Sequence, residues 1–272
     1  MEARDLAASL QRDYGIVAAS IERHAGGFEA DAFVVDGSWF VKAWRRDPPA
    51  TLGLLDELKQ RGLPVVPPVR TVDGRLTTST FALYPFVHGR PAPEDPALLG
   101  RILRRLHAIT DVNLPRTTMD EWCIEFLRAH RDHPWIADRQ DELAAAVDRL
   151  EAVTDRARRT NVPNVLVHND LYGDNMLVDD HGEVIAILDW DHACLAPREH
   201  DLWMVLDEEG SNGLLVAYGA PDLNATHLEF ALLARSLRDL AARVRDKVDR
   251  PGIEQWGFRR LARVDEVLDQ LR

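Results

Sequence analysis

The sequence is poor in cysteine and has no long hydrophobic run, and both absences narrow what the protein can be. Its 272 residues include two cysteines, Cys123 and Cys194, too few and too far apart for a disulfide framework or a cysteine-type zinc site. The N-terminal residues carry charges of both signs and no apolar signal-peptide core, and no stretch is long enough to span a membrane. We therefore expect a cytoplasmic protein in a reducing compartment, with no membrane partner.

Clustered positive charge is also missing. The formal net charge is −12, from 33 Lys and Arg against 45 Asp and Glu. Binding to the nucleic-acid backbone needs clustered cations, so we expect no nucleic-acid partner. The acidic balance suits a cationic small-molecule substrate, and it suits equally well a protein whose charge only keeps it soluble. The hydrophobic fraction of 46% is enough for one bilobal domain or two small ones.

The first third of the chain has the pattern of an antiparallel sheet with one inserted helix. The dipeptide Asp36-Gly37 lies between two runs of β-forming residues, which is typical of a hairpin. A helix is predicted over Thr51–Arg61, ending before a glycine and a proline. A second hairpin is predicted around Asp73-Gly74. The predicted strands are Ile21–His24, Ala32–Val35, Ser38–Trp44, Val65–Val72 and Leu76–Val87.

From Pro91 onward the pattern becomes mainly helical. Apolar residues recur at helical spacing, and charged residues occupy the opposite faces. The predicted helices are Pro96–Ile109, Met119–Arg131, Asp138–Arg158, Asp201–Leu206, Leu228–Val248 and Pro251–Leu271. Short strands are predicted at Leu166–His168, Met176–Val178 and Val184–Asp189. The sequence thus predicts a β-rich lobe at residues 1–87 and a helical lobe at residues 88–272.

The segment from His168 to Asp191, HNDLYGDNMLVDDHGEVIAILDWD, carries the most specific pattern. Asn175 follows Asp170 by five residues, and a predicted β-hairpin then leads to Asp189. Phosphoryl transfer needs a carboxylate that orients the attacking hydroxyl, and it needs oxygen ligands for Mg²⁺ on the nucleotide phosphates. The spacing H-x-D-x-x-x-x-N with a later Asp at a strand end is the catalytic-loop arrangement of kinases. Each residue alone would suit a polar turn, but the joint spacing indicates a kinase.

Lys42 lies in the middle of a predicted strand, among apolar neighbours. In a kinase such a lysine contacts the α- and β-phosphates of the nucleotide. The alternative is a lysine on the solvated face of an edge strand. Its acidic partner would come from the helix Thr51–Arg61, where Asp56 and Glu57 are both candidates and the spacing does not choose between them.

The nucleotide has further candidate contacts. Gly27, in the pair Gly26-Gly27, could let a backbone flap approach the phosphates, although such a pair is more often a plain turn. Tyr84 and Phe86 belong to a segment that would form the hinge between lobes and pair with adenine through its backbone, or that is simply a strand end. Neither G-x-G-x-x-G nor a Walker A motif occurs. The predicted phosphoryl donor is ATP or GTP, and the predicted metal is Mg²⁺.

Three segments extend the pattern: FALYPFVH at Phe81–His88, His168–Val178, and LDWDHACLAPREHDL at Leu188–Leu202. Together they resemble the aminoglycoside phosphotransferase and choline kinase-like family, most of all its spectinomycin phosphotransferase branch. The resemblance runs from about Gly26 to the C-terminal helices. It implies an α+β, bilobal, protein-kinase-like fold, with a small antiparallel-sheet N-lobe and a larger helical C-lobe.

The resemblance also implies roles for individual residues. Asp170 becomes the catalytic base, and Asn175 and Asp189 become the metal ligands. Asp191 either contributes to the metal site or lies on the side of the site that faces the substrate. The family often has Gly where this chain has Asn169.

Other polar residues in these segments are candidates for supporting the site or contacting substrate. They include His168 and Glu199. Acidic groups from the C-terminal lobe of the family face cationic substrates, which makes Asp207 and Glu208 candidates. The alternative for these two is a solvated turn at a helix end.

These features predict an ATP-dependent O-phosphotransferase acting on a hydroxyl of a small cationic molecule. The first candidate acceptor is an aminoglycoside or aminocyclitol antibiotic such as spectinomycin. The second is a metabolic substrate such as choline, a sugar or a natural-product intermediate. A nucleotide-binding pseudokinase is the third interpretation, and the complete set Lys42, Asp170, Asn175 and Asp189 speaks against it. We expect a monomer or weak dimer.

Overall fold

The structure is a computed structural model that describes residues 2–24, 30–45, 47–116, 122–206, 212–219, 222–246 and 250–270. The chain divides into two compact units. The first contains Met1–Glu94 and Asp170–His192, and the second contains Asp95–Asn169 and Ala193–Arg272. Each unit therefore takes up two stretches of chain. The lobes at residues 1–87 and 88–272 stay a prediction.

The first unit contains an antiparallel sheet with strand order β1-β2-β3-β4. Its strands are β1 (Ile21–His24), β2 (Ala30–Val35), β3 (Trp39–Trp44) and β4 (Phe81–Pro85). The predicted hairpin between β2 and β3 is confirmed, with Val35 opposite Trp39. Asp36 and Gly37 both have positive φ, 52° and 63°, the backbone conformation that favours Asp and Gly in hairpin turns.

Helix α1 (Ala3–Tyr14) closes one face of this sheet. Leu6 and Leu10 are four residues apart, so they lie on one face of the helix, and both are fully buried. They pack with alternate residues of the strands, among them Phe33, Val41, Phe81 and Leu83. Strand residues with the opposite parity face away from this core, which leaves Lys42 on the other side of the sheet from Val41.

The connection between β3 and β4 differs from its prediction. The helix predicted at Thr51–Arg61 is a 3₁₀ turn, Ala50–Gly53, followed by α2 (Leu54–Gln60). The strand predicted at Val65–Val72 is wrong, because this segment forms only isolated bridges at Val65 and Val69. Pro67 and Pro68 lie between these bridges and have no N–H to donate to a neighbouring strand.

A smaller sheet in the first unit carries the motif segment. Its order is β5-β7-β8, formed by β5 (Arg90–Pro91), β7 (Met176–Val178) and β8 (Val184–Ile187). The predicted hairpin of β7 and β8 is confirmed, with Met176 opposite Ile187.

The second unit is built around a long helix, α7 (Ala225–Asp246). This helix contacts other helices of the unit and a 3₁₀ segment at Arg198–Leu206. Apolar residues on most sides of α7 are buried, as expected for a helix inside a bundle. The strands of this unit are β6 (Asn164–Val167) and β9 (Cys194–Pro197), paired antiparallel. The other helices described here are α3 (Pro96–Leu106), α4 (Trp122–Ala129), α5 (Gln140–Arg158), α6 (Asn212–Tyr218), α8 (Arg250–Ile253) and α9 (Arg259–Gln270).

Two buried histidines lie near each other: His200 in the 3₁₀ segment and His227 in α7. The rings of His200 and His227 lie 6.0 Å apart, and His200 also lies 5.0 Å from the ring of Phe230. Among the described residues, no hydrogen-bond partner meets Nε2 of His200. Burial, followed by the proximity of His227, lowers the pKa of His200 from 6.5 to about 3. The folded protein therefore keeps His200 neutral where the unfolded chain would protonate it.

We expect this burial to make folding stability sensitive to acid. Between pH 6.5 and about 3 the unfolded chain binds a proton that folded His200 does not, so the free energy of unfolding falls as the pH falls. His200→Phe and His200→Gln each remove the titrating group. Each should lower the slope of stability against pH by up to about 1.4 kcal/mol per pH unit in this window. Urea unfolding at several pH values measures this slope. If both variants keep the wild-type slope, His200 is not the group responsible for the acid sensitivity.

Candidate active site

In the first unit, Asp170 and Asn175 form one hydrogen-bonded loop. Asn175 ends a 3₁₀ turn, Gly173–Asn175, immediately before β7. Its Nδ2 donates to the backbone carbonyl of Asp170 at 2.7 Å and to the Asp170 carboxylate at 3.3 Å. These bonds fix the orientation of the Asn175 amide. They turn its Oδ1, the atom that can coordinate a cation, away from Asp170.

The β7–β8 hairpin brings Asn175 next to the start of the segment Asp189–Asp191. Asn175 precedes β7 and Asp189 closely follows β8, so both lie at the same end of the hairpin. The backbone N–H of Leu188 donates to the carbonyl of Asn175 at 2.8 Å. Asp189 has a left-handed backbone, with φ of 59°, and its side chain is 41% exposed. Such a conformation is unusual outside glycine and recurs at functional sites.

Lys42 contacts two carboxylates from this segment. Its Nζ lies 2.7 Å from Oδ1 of Asp189 and 2.8 Å from Oδ2 of Asp191. Burial by itself would lower the pKa of Lys42, but the charges of Asp189 and then Asp191 outweigh it and raise that pKa. The ammonium group therefore stays charged.

Two aromatic residues complete the surroundings of Asp191. The indole N–H of Trp44 donates to Oδ2 of Asp191 at 2.6 Å. Burial and then the nearby carboxylates of Asp191 and Asp189 raise the pKa of Tyr84, so its hydroxyl stays protonated. Sequence reasoning missed Trp44. The available signal was its position two residues after Lys42 in β3, which places both side chains on one face of the sheet.

The acidic partner predicted for Lys42 on the second helix is wrong. Asp56 pairs with Arg70 at 2.8 Å, and Glu57 pairs with Arg61 at 2.5 Å. Helix α2 buries its leucines, which turns both acids toward neighbouring arginines instead of the sheet lysine. Asp189 and Asp191 take the place that the helix acid was expected to fill.

We therefore expect Asp56→Asn and Glu57→Gln to be nearly silent in catalysis. Each removes a partly exposed ion pair, which contributes at most about 1 kcal/mol to stability and has no contact with Lys42. If Lys42 has its predicted role in nucleotide binding, the KM for ATP should stay within about twofold of wild type, because neither acid contacts Lys42. Lys42→Met is the positive control, and its KM for ATP should rise. A tenfold rise in either acid variant would contradict the arrangement seen here.

In the second unit, Asp201 fixes the backbone that leads into the motif. Its two carboxylate oxygens accept the N–H groups of His168 at 2.8 Å and of Asn169 at 2.5 Å. Nε2 of His107 lies 3.1 Å from the same carboxylate, and Nδ1 of His107 lies 2.7 Å from the hydroxyl of Tyr218. Burial favours the neutral acid, but the hydrogen bond and charge of His107 outweigh it and lower the pKa of Asp201.

Sequence reasoning placed Asp201 only at the start of a helix and so missed this role. The signal was an acid directly before an apolar run, since Asp201 is followed by Leu202 and Trp203. The carboxylate is almost completely buried, and such a group needs several donors. Its donors come from segments far apart in the chain, which spacing does not reveal.

Asn169 stands at a position where the resemblance leads us to expect glycine. Its φ is 65°, in the left-handed region that Gly and Asn tolerate better than other residues. Its side-chain Nδ2 also donates to Sγ of Cys194 at 3.2 Å. Asn therefore adopts here a backbone conformation that a glycine would also allow.

The remaining predicted residues are placed as follows. His168 is fully buried, and Glu199 is 3% exposed and accepts the backbone N–H of Asn224 at 2.8 Å. The N–H of Phe86 donates to the carbonyl of Ser38 at 2.8 Å, and its ring contacts His88 edge-on. A hinge contact at Phe86 would therefore use its carbonyl or a later N–H. Gly27, Asp207 and Glu208 lie outside the described residues.

Within the described residues, no group of three or more His, Cys, Asp and Glu is arranged to hold a metal ion. A site made of one amide and one carboxylate is instead typical of Mg²⁺, which commonly takes one or two carboxylates and completes its shell with water and substrate phosphates. No helix in the part of the chain described here is long and apolar enough to cross a membrane.

Comparison with known proteins identifies the family of this chain. The sequence model of a family described as the phosphotransferase enzyme family matches residues 20–264. A homoserine kinase from Parvibaculum lavamentivorans is 29% identical over 269 residues, covering 84% of this chain and 80% of that protein. A homoserine kinase from Methylobacillus flagellatus is 27% identical over 171 residues, and the match spans 52% of its length.

Solved structures give the same fold with other acceptors. Spectinomycin phosphotransferase in complex with ADP and spectinomycin aligns with a TM-score of 0.76 at 20% identity, covering 99% of both chains. Macrolide 2'-phosphotransferase type I aligns with a TM-score of 0.64 at 19% identity, covering 94% of this chain and 95% of that one. At these identities the likeness concerns the fold. The predicted α+β, kinase-like fold is confirmed, and the chain belongs to the phosphotransferase enzyme family.

Proposed function

We propose that the protein is an ATP-dependent O-phosphotransferase that acts on a hydroxyl of a small, amine-bearing molecule. The observation that carries the proposal is the joint arrangement of the first unit. Lys42 contacts Asp189 and Asp191, and Asn175 is tied to Asp170. A nucleotide site needs a cation for phosphates, oxygen ligands for a metal and a carboxylate for the acceptor, and these residues supply all of them.

Asn175 and Asp189 would hold the metal. Both offer hard oxygen atoms at one end of the β7–β8 hairpin, and the Asn175 amide is already oriented by Asp170. A Mg²⁺ ion held by these two residues would supply the positive charge that offsets the negative charge developing during transfer.

Lys42 would contact the nucleotide phosphates. Its side chain is 16% exposed, and its ammonium group is charged in the presence of two carboxylates. Phosphate oxygens are strong acceptors for such a cation. Asp191, with Trp44 as a second donor, would keep the lysine oriented while Asp189 serves the metal.

Asp170 would act on the acceptor. Its carboxylate is half-buried and its position is restrained by Asn175. In a loose phosphoryl-transfer transition state, a carboxylate contributes mainly by aligning the hydroxyl for in-line attack and accepting its proton late. This role needs a fixed position more than a raised basicity.

Two classes of acceptor have specific support. Aminocyclitols and aminoglycosides are supported by the motif pattern, by the net charge of −12 and by the fold shared with spectinomycin phosphotransferase. Homoserine, which belongs to the metabolic class, is supported by a homoserine kinase with 29% identity over 84% of the chain. Both acceptors carry an amine and a hydroxyl, but homoserine also has a carboxylate that requires a cation in the acceptor site.

The test is ATP consumption by the purified protein with spectinomycin, other aminoglycosides, homoserine and choline, using Asp170→Asn as the blank. Turnover of an aminocyclitol supports the first class, and turnover of homoserine alone supports the second. Thermal stabilisation by MgATP without turnover of any acceptor would favour a pseudokinase and contradict the proposal. Replacing ATP with GTP in the active reaction determines the donor.

Because the proposed reaction uses ATP, we also propose a cytoplasmic location for the protein.

Expression in a sensitive bacterium tests the antibiotic acceptors in the cell. Resistance to spectinomycin that disappears in Asp170→Asn would support phosphorylation of the drug. Unchanged sensitivity to spectinomycin and to other aminoglycosides would move the assignment to the metabolic class.

A further inference from the structure

Arg235 on α7 contacts the backbone of the motif loop. Its Nη1 donates to the carbonyl oxygen of Asn169 at 3.1 Å. Asn169 directly precedes Asp170 in the sequence, and it has the left-handed φ of 65°. The carbonyl that Arg235 contacts therefore belongs to the peptide group that connects Asn169 to Asp170.

The guanidinium group of Arg235 is itself held in place. Its Nε donates to Oδ2 of Asp239 at 3.0 Å, and its Cζ lies 3.9 Å from the ring centre of Trp203. The side chain is 14% exposed. A planar guanidinium that is stacked on an aromatic ring and bonded to an acid has few alternative positions.

The next layer fixes Asp239 and Trp203. Nη1 of Arg260 donates to the same Oδ2 of Asp239 at 2.6 Å. The guanidinium of Arg260 lies 5.0 Å from the Trp203 ring centre and 4.6 Å from that of Trp256, and the side chain is 4% exposed. Arg235 is thus part of a largely buried network of contacts that joins α7 to α9. It is not an isolated ion pair on the surface.

The backbone at Asn169 is held on both sides. Asp201 accepts the N–H groups of His168 and Asn169, and Arg235 donates to the Asn169 carbonyl. Because the peptide group is planar, fixing that carbonyl also fixes the N–H of Asp170 and the direction in which the chain enters it. An unfavourable left-handed residue persists only where such contacts determine it.

We propose that Arg235 is a positioning residue for phosphoryl transfer, which sets the placement of Asp170 through the Asn169 carbonyl. This inference rests on the proposed role of Asp170. Loss of Arg235 would let the Asn169–Asp170 peptide rotate and would displace the carboxylate from the acceptor hydroxyl. The proposed nucleotide contacts of Lys42 and Asp189 involve other segments. Loss of Arg235 should therefore lower kcat and leave nucleotide binding unchanged.

The test compares Arg235→Gln and Arg235→Lys with a control variant that also removes an arginine contact to α7 but has no described bond to the loop. Arg149 lies on α5, and Arg149→Gln removes ion pairs of 2.8 Å to Glu229 of α7 and of 2.7 Å to Asp265. We expect Arg235→Gln to lower kcat by about ten- to a hundredfold, with both KM values within about twofold. Arg235→Lys keeps a cationic donor and should lose less. Arg149→Gln should keep wild-type kcat.

Hydrogen exchange of the loop peptides containing residues 168–175 is the second readout, and it does not depend on activity. Exchange should be faster in Arg235→Gln and unchanged in Arg149→Gln. Wild-type kcat and exchange in folded Arg235→Gln would overturn the inference, as would a loss carried by the nucleotide KM. If Arg235→Gln does not fold, Arg235→Lys must show the same pattern at smaller size. Absence of turnover in the wild type would instead contradict the proposed function, while exchange would still test Arg235.

Discussion

Asp170→Asn should lower kcat by roughly 10²- to 10⁴-fold, the range expected for loss of a positioned catalytic base. An amide cannot take the acceptor proton, and it aligns the hydroxyl poorly because it also presents N–H donors. The bonds from Asn175 should survive in part, since one reaches the backbone carbonyl of residue 170 and the variant side chain keeps an oxygen. Binding of MgATP, followed by thermal shift, should therefore change little.

The matched control is Asp174→Asn. Asp174 lies on the same loop, but its side chain is exposed and no described hydrogen bond ties it to Asn175. This variant should keep kcat within about twofold, as is usual for exposed positions. Normal turnover in Asp170→Asn, or an equal loss in Asp174→Asn, would remove Asp170 from its role.

Asp189→Asn should have the second large effect. The left-handed backbone at this position, with φ of 59°, is accessible to Asn, so the fold should be kept. The variant loses the carboxylate that would bind Mg²⁺ and one of the two acids that contact Lys42. We expect kcat to fall by at least about a hundredfold and the Mg²⁺ concentration for half-maximal activity to rise.

Calorimetric titration with ADP separates the two losses. With Mg²⁺ present, the affinity of Asp189→Asn for ADP should fall. With EDTA present, it should not fall, because one carboxylate fewer then opposes the phosphates. Asp180→Asn, on the exposed turn of the same hairpin, is the control and should match the wild type. An unchanged Mg²⁺ requirement in Asp189→Asn would contradict its assignment as a ligand.

The wrong predictions have separate physical causes. The acid partner of Lys42 was sought on the nearest helix, but the ion pairs link Lys42 to residues 147 and 149 positions later. The strand predicted at Val65–Val72 followed its β-forming residues, but Pro67 and Pro68 have no N–H to donate to a ladder. Local pattern reports the preference of a segment, and it does not report which distant segment satisfies its polar groups.

The acceptor was also beyond the reach of the pattern. The segment His168–Asp191 predicts phosphoryl transfer, and proteins of similar fold are named for different acceptors, spectinomycin and macrolides. Asp207 and Glu208, the acids predicted to face a cationic substrate, lie outside the described residues. Acceptor choice therefore rests on measured turnover.

The sequence by itself determined the kinase-like motif, the hairpins at Asp36-Gly37 and at β7–β8, and the succession of a sheet by helices. These depend on spacing, turn chemistry and hydrophobic period, all of which are local. The tertiary structure alone decided which acids meet Lys42, and it revealed Asp201 and Arg235 at the backbone of Asn169. Buried charges must find partners wherever the fold brings them, so those contacts appear only once the chain is folded.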